Sequence, residues 1–206
     1  MPRLVLVVAL ALGLASPLAA APPASPLPGG PRVRPTDARA ARVLREGLLR
    51  SPTFGALVDR LERGGVIVYV SMDPRMRHGL AGGIAWVTTA GTLRCVRVTL
   101  NPLLRTTALV AGLGHELRHA VEVDDHPAID GADAFLDLYE AIGHTGGLGA
   151  GSWDTPAAVA AGEVILAEAA AAGEAAGPRG RFGPGDWHAW YRGSRAGDAD
   201  SIQGPQ

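Results

Sequence analysis

The spacing of apolar residues predicts two helices near the start of the folded part of the chain. Apolar positions recur every three or four residues from Thr36 onward, and either Thr36 or Asp37 can cap the first helix. A second helix is expected to begin at Ser51-Pro52, because serine caps helix N-termini and proline is favoured in the first turn. The glycine pair Gly64-Gly65 is expected to end it.

Three strands are predicted next. The segment 66–70 is a short run of β-branched and apolar residues, which is typical of a strand. The segments 84–89 and 92–100 are interpreted as two further strands on either side of Ala90-Gly91, so we expect them to form a hairpin.

Helical spacing then returns and continues to about residue 172. A helix is predicted from Thr106 or Thr107 to about Val123, followed by a shorter one over 132–142 and a last one over 157–172. The order of helices, small sheet and helices predicts an α+β fold, with a small antiparallel sheet flanked by helices.

The start of the chain has the layout of a secretory signal peptide. Arg3 is followed by an apolar run, Leu4–Leu14, and then by small residues up to Ala21. The apolar run is too short to span a bilayer permanently, so no membrane anchor is expected after cleavage. We expect a secreted or periplasmic protein with a signal peptide at 1–21, a flexible Pro/Gly-rich leader at 22–35, a folded domain at 36–172 and a disordered tail at 173–206.

Composition excludes several kinds of chemistry. All 19 basic residues are arginine, and the absence of lysine excludes Schiff-base lysines and a Walker-type phosphate-binding lysine. Cys95 is the single cysteine, which excludes internal disulfides and multi-cysteine zinc sites. The formal net charge of -1 gives no reason to expect nucleic acid as a partner. Histidines, carboxylates, hydroxyls and arginines remain as reactive groups.

One motif concentrates these groups. His115-Glu116-Leu117-Arg118-His119 is an H-E-x-x-H sequence inside a predicted helix. Two histidines four residues apart lie about 40° apart around a helix axis, so both rings can bind one zinc ion. Glu116 lies about 60° beyond His119, which places it beside the metal as a general base for a zinc-bound water.

This segment resembles the active-site helix of zincin metallopeptidases. The run His115–Val121 reads H-E-L-R-H-A-V and is similar to the motif of the thermolysin-like gluzincins. The resemblance covers the helix and the preceding strand, about 35 residues, and implies a minimal zincin-like domain with Zn²⁺ as cofactor. It implies a hydrolase, a small metallopeptidase, acting on a peptide or protein that adds as a strand beside Thr92–Leu100.

The third zinc ligand is less directly indicated. Gluzincins use a glutamate on the following helix, so the resemblance implies Glu140. The alternatives are acidic or histidine side chains in the same part of the chain: Asp133, Asp137, His126, His144 and Asp154. Glu122 shares the ligand face of the helix but lies about 10 Å along the axis from His115, so we interpret it as a carboxylate that orients the His119 ring. The alternative is a solvated glutamate on the helix surface.

Two questions stay open at the level of sequence. Zincins stabilise the oxyanion with a cationic or phenolic donor, and the candidates are Tyr139, His144, Arg118 and His78. The alternative function is a non-enzymatic exported binding protein on a zincin-like scaffold. Such a protein would bind its partner through a strand edge or through the aromatic residues of the tail.

Overall fold

The computed structural model describes residues 30–76, 80–145 and 153–175, so the predicted signal peptide and nearly all of the predicted tail lie outside the described residues. Within these ranges the chain forms five helices and a four-stranded mixed sheet, which confirms the α+β class. The helices are α1 (Ala38–Arg50), α2 (Pro52–Glu62), α3 (Thr106–Asp125), α4 (Ala132–Ile142) and α5 (Pro156–Ala175). The strands are β1 (Val33–Pro35), β2 (Val66–Met72), β3 (Gly82–Ala90), β4 (Leu93–Leu100), β5 (His144–Thr145) and β6 (Trp153–Asp154).

The first two helices begin at polar caps. The side chain of Asp37 accepts hydrogen bonds from the backbone amides of Arg39 and Ala40, and it caps α1. Ser51 accepts from the amide of Phe54 and caps α2, with Pro52 in the first turn. Each cap satisfies backbone N–H groups that have no partner within the helix.

The sheet differs from the predicted antiparallel arrangement. Its strand order is β1-β2-β4-β3, in which β1 and β2 pair in parallel, β2 and β4 pair in parallel, and only β3 and β4 pair antiparallel. The predicted hairpin is present, but β3 lies at the sheet edge and β4 lies inside. The prediction that the Thr92–Leu100 segment forms the edge strand is therefore wrong. The side chains explain why β4 and not β3 lies inside the sheet, because most residues of β4 are buried whereas those of β3 are half-buried or exposed.

The end of the predicted leader is also part of the fold. Val33–Pro35 form β1, with Val33 opposite Val68 of β2, and the amides of Arg32 and Val33 donate to the carboxylate of Glu62. The prediction of a flexible segment up to residue 35 is therefore wrong for these three residues. A three-residue strand that is ordered by pairing leaves no periodicity of its own.

Helix α3 lies at the centre of the domain. Its buried leucines pack with residues of β2 and β4 in one core. On another side α3 packs along α5, where a Cβ at Gly114 would collide with Ile165, so the glycine allows the two helices to approach closely. The stretch Pro156–Gly173 is also long and apolar enough to cross a membrane, with a mean hydropathy of 1.3. Of this stretch 28% is buried, and Ile165 and Ala169 are among the buried residues.

Candidate metal centre

Helix α3 places His115 and His119 on the same side, one turn apart. Their Nε2 atoms lie 3.2 Å from each other, and the rings meet edge to face with centroids 4.9 Å apart. The His119 side chain is 3% exposed and that of His115 is 12% exposed. One metal ion can bind to two histidines only if their ring nitrogens point toward a common position, and these two nitrogens do so in a buried part of the domain.

Asp154, at the end of β6, completes a group of three that we call the metal triad: His115, His119 and Asp154. Asp154 Oδ1 lies 3.3 Å from His115 Nε2 and 3.8 Å from His119 Nε2. Tetrahedral zinc with bonds of about 2.0–2.1 Å separates neighbouring ligand atoms by about 3.3–3.4 Å. Two of the three separations are within about 0.2 Å of this value, and the third, 3.8 Å, is about 0.4 Å longer. Two histidines with one carboxylate form a donor set known for catalytic zinc.

The carboxylate also alters the protonation of the neighbouring ring. Burial by itself lowers the pKa of His115, but the interaction with Asp154 and the charges of Glu116 and Glu122 outweigh it, so the pKa is raised. Metal binding requires the neutral ring, so protons and a metal ion compete for this site.

Glu140 does not take the predicted place of the third ligand. It is exposed on α4 and does not belong to the triad, because the buried face of α4 is formed by Phe135, Leu138 and Tyr139. The alternatives Asp133, Asp137, His126 and His144 are exposed as well. The third member of the metal triad is instead Asp154, which was one of the alternatives at the level of sequence. Its one local signal is its position directly before the Thr155-Pro156 start of α5.

Glu122 lies one turn beyond His119 and contacts its ring. Its Oε2 lies 2.9 Å from His119 Nδ1, the contact expected of a carboxylate that orients the ring. Its Oε1 accepts a 2.7 Å hydrogen bond from the hydroxyl of Thr155. Burial raises the pKa of Glu122, but these bonds from His119 and Thr155 outweigh it, so the pKa is lowered and the carboxylate stays ionised.

Glu116 lies beside the metal triad without belonging to it. The residue is 6% exposed, and its side chain rests against Gly82 at the start of β3. Burial raises the pKa of Glu116, and the charges of His115 and His119 only partly offset this effect. A carboxyl group with a raised pKa is suited to accept and release a proton near neutral pH.

Tyr139 supports the site from α4. Its hydroxyl donates a 2.9 Å hydrogen bond to the backbone oxygen of His119, and its ring packs edge to face on the His119 ring. Burial raises the pKa of Tyr139, so the phenol stays protonated. Of the other oxyanion candidates, Arg118 lies 3.9 Å from the Glu122 carboxylate, His144 is exposed, and His78 lies outside the described residues.

A cleft of about 250 Å³ leads to His119. It runs between the edge strand β3 and helix α4, with β6 at one side, and we call it the β3–α4 cleft. Its lining residues are mainly apolar and aromatic: Ile84, Ala85, Trp86, His119, Ala132, Phe135, Leu136, Tyr139 and Trp153. Ligand sites in proteins are lined mainly by apolar and aromatic side chains with a few polar groups, and this cleft has a lining of that kind.

Comparisons with protein families, with curated proteins and with solved structures found no match for this chain. Its functional assignment therefore rests on the motif in α3 and on the arrangement of the residues around it.

Proposed function

We propose that the chain is an exported zinc-dependent hydrolase, a small metallopeptidase of zincin type. The observation that carries the proposal is the triangle formed by the ligand atoms of the metal triad, with sides of 3.2, 3.3 and 3.8 Å. A site for binding alone needs no buried carboxyl group beside it, and Glu116 supplies one in the motif position of a general base. Export is proposed from the signal-peptide layout of residues 1–21.

The β3–α4 cleft supports a peptide as the substrate. Strand β3 lies at the edge of the sheet, so its outer backbone groups are available to pair with an extended chain. Ile84 and Trp86 of β3 line the same cleft as His119. We therefore expect a peptide that pairs with β3 to lie near His119, the member of the metal triad that lines this cleft. The proposed substrate strand therefore pairs with β3. The expectation from sequence was pairing with the Thr92–Leu100 segment, which is β4.

The proposed chemistry divides between the ion and the chain. Zinc, when bound, acts as a Lewis acid that lowers the pKa of its water to about 7 and polarises a carbonyl group. His115, His119 and Asp154 would hold the ion, and Glu122 contacts the His119 ring at Nδ1 and would keep it oriented. The Glu116 carboxylate accepts a proton from the attacking water as its oxygen bonds to the peptide carbonyl carbon. It then delivers that proton to the amine nitrogen as the C–N bond breaks.

The experiment that tests this function compares the wild-type full chain with Glu116→Gln, both loaded with zinc. We expect the wild type to cleave an unfolded protein and the variant to retain one zinc ion per chain with activity reduced at least about 1,000-fold. His119→Ala is the control that loses zinc and activity together. Cleavage that persists in Glu116→Gln contradicts the assigned base. Zinc binding without any cleavage by the wild type favours the alternative, a non-enzymatic binding protein.

A further inference from the structure

Little regular structure fixes the position of Asp154. It lies in a two-residue strand, β6, which within the described ranges pairs with the two residues of β5 alone. Yet its carboxylate must stay within about 4 Å of two histidines on another element, α3, if all three are to bind one ion. The residue that follows it is Thr155, which is 2% exposed and adjoins the start of α5.

The Thr155 hydroxyl makes two hydrogen bonds in opposite directions. It accepts from the backbone amide of Ala158 at 3.1 Å, which caps α5. It donates to Glu122 Oε1 at 2.7 Å, and the other oxygen of that carboxylate contacts His119 Nδ1. The chain of contacts therefore runs from the His119 ring through Glu122 to the residue next to Asp154.

We propose that Thr155 is a positioning residue for the metal triad, which holds Asp154 in register with His119 through Glu122. This inference rests on the proposed zinc site and adds to it a residue that touches neither the ion nor the substrate. The Glu122 carboxylate orients the His119 ring directly. Through the Thr155 hydroxyl it also fixes the backbone next to Asp154. Contacts of this kind beyond the ligands change metal affinity by about 10- to 100-fold when they are removed.

The competing interpretation is that Thr155 only caps α5. Another cap in the chain serves as a matched control for this role. Ser51 caps α2 through the amide of Phe54, and its hydroxyl also bonds to a carboxylate, that of Glu168. Glu168 lies on α5 about 20 Å along the helix from Thr155. Ser51→Ala thus removes a cap and a hydroxyl–carboxylate bond of the same kind, away from the metal triad.

The test measures the Kd for zinc of the metal-free full chain by competition with a chelator, together with the Tm of each variant. We expect Thr155→Val to raise the Kd at least about 10-fold, Thr155→Ser to stay within about 3-fold of the wild type, and Ser51→Ala to lower the Tm without changing the Kd. If Thr155→Val does not fold, Thr155→Ala takes its place, since it avoids a methyl group against the Glu122 carboxylate. A wild-type Kd in either valine or alanine variant, with a lowered Tm, overturns the proposal and leaves Thr155 a cap. If the wild type binds no zinc, the proposed function itself is contradicted, and the inference about Thr155 with it.

Discussion

Gly82 lies directly against the carboxylate of Glu116. A Cβ at position 82 would be 3.1 Å from both Cγ and Oε1 of Glu116, and also 3.1 Å from Leu100. The missing side chain therefore gives the proposed base its place beside the edge strand. The neighbouring Gly83 is different, since a Cβ there would meet nothing within 4 Å.

This pair of glycines provides the first prediction. Gly82→Ala displaces the Glu116 carboxylate by a few tenths of an ångström or more, and we expect kcat to fall about 10- to 100-fold with zinc still bound. Gly83→Ala is the control and is expected to stay within about 3-fold of the wild type. Steady-state peptidase kinetics and zinc content check both variants. Equal kcat values for the two variants would show that the contact with Gly82 does not position the base.

The second prediction separates the two candidates for the third ligand. Asp154→Asn removes a charged ligand from the metal triad, so we expect its Kd for zinc to rise at least about 100-fold. Glu140 is exposed on α4 and Glu140→Gln is expected to bind zinc like the wild type. Titration of zinc into each metal-free protein measures both. The opposite order of affinities would restore the ligand that the family resemblance implied.

The third prediction concerns the role of Tyr139. Its hydroxyl bonds to the backbone oxygen of His119, which lies within α3 and keeps its helical hydrogen bond, so Tyr139→Phe removes one bond and should cost about 0.5–1.5 kcal/mol of unfolding free energy. We expect kcat to change less than about 10-fold, because the Tyr139 hydroxyl already donates its proton to the backbone of α3. Urea unfolding and kinetics test the two parts. A fall in kcat of about 100-fold or more with unchanged stability is the result expected of an oxyanion donor.

The fourth prediction is a dependence of stability on pH that arises away from the metal triad. Glu168 accepts hydrogen bonds from Ser51 and from the amide and hydroxyl of Thr53. Burial raises the pKa of Glu168, but these bonds outweigh it, so its folded-state pKa is lowered. A lowered carboxyl pKa stabilises the fold above the unfolded-state pKa of about 4.3, and this contribution is lost as pH falls through the folded-state pKa.

Glu168→Gln tests this contribution. We expect the variant to be about 1–2 kcal/mol less stable than the wild type at pH 7, and the difference to shrink as the pH is lowered below about 4. Denaturant unfolding of both proteins at several pH values measures it. A difference that stays constant with pH would show that the charge of Glu168 is not what stabilises the start of α2.

The parts of the fold that local sequence determines were predicted well. Caps such as Asp37 and Ser51 and the long apolar face of α3 act within a few residues, so the helices were expected close to where they lie. The motif in α3 depends on the same short-range geometry. The contact between His119 and Glu122 also follows from helical spacing within a single element.

The parts that depend on distant pairing were not predictable in the same way. A hairpin pattern does not say which of its two strands pairs with β2, so β4 was expected at the edge that β3 occupies. Likewise, β1 is defined by its pairing with β2 and not by a pattern of its own. Asp154 lies in β6, 39 residues after His115 in the chain, and no spacing rule connects the two positions.

The central claim is that His115, His119 and Asp154 bind one zinc ion. The most direct measurement is the zinc content of the wild-type full chain after equilibrium dialysis against zinc and then against zinc-free buffer. We expect one zinc ion per chain in the wild type, and much less than one in His119→Ala under the same conditions. A wild-type protein that retains no zinc, or a His119→Ala variant that retains as much as the wild type, would contradict it.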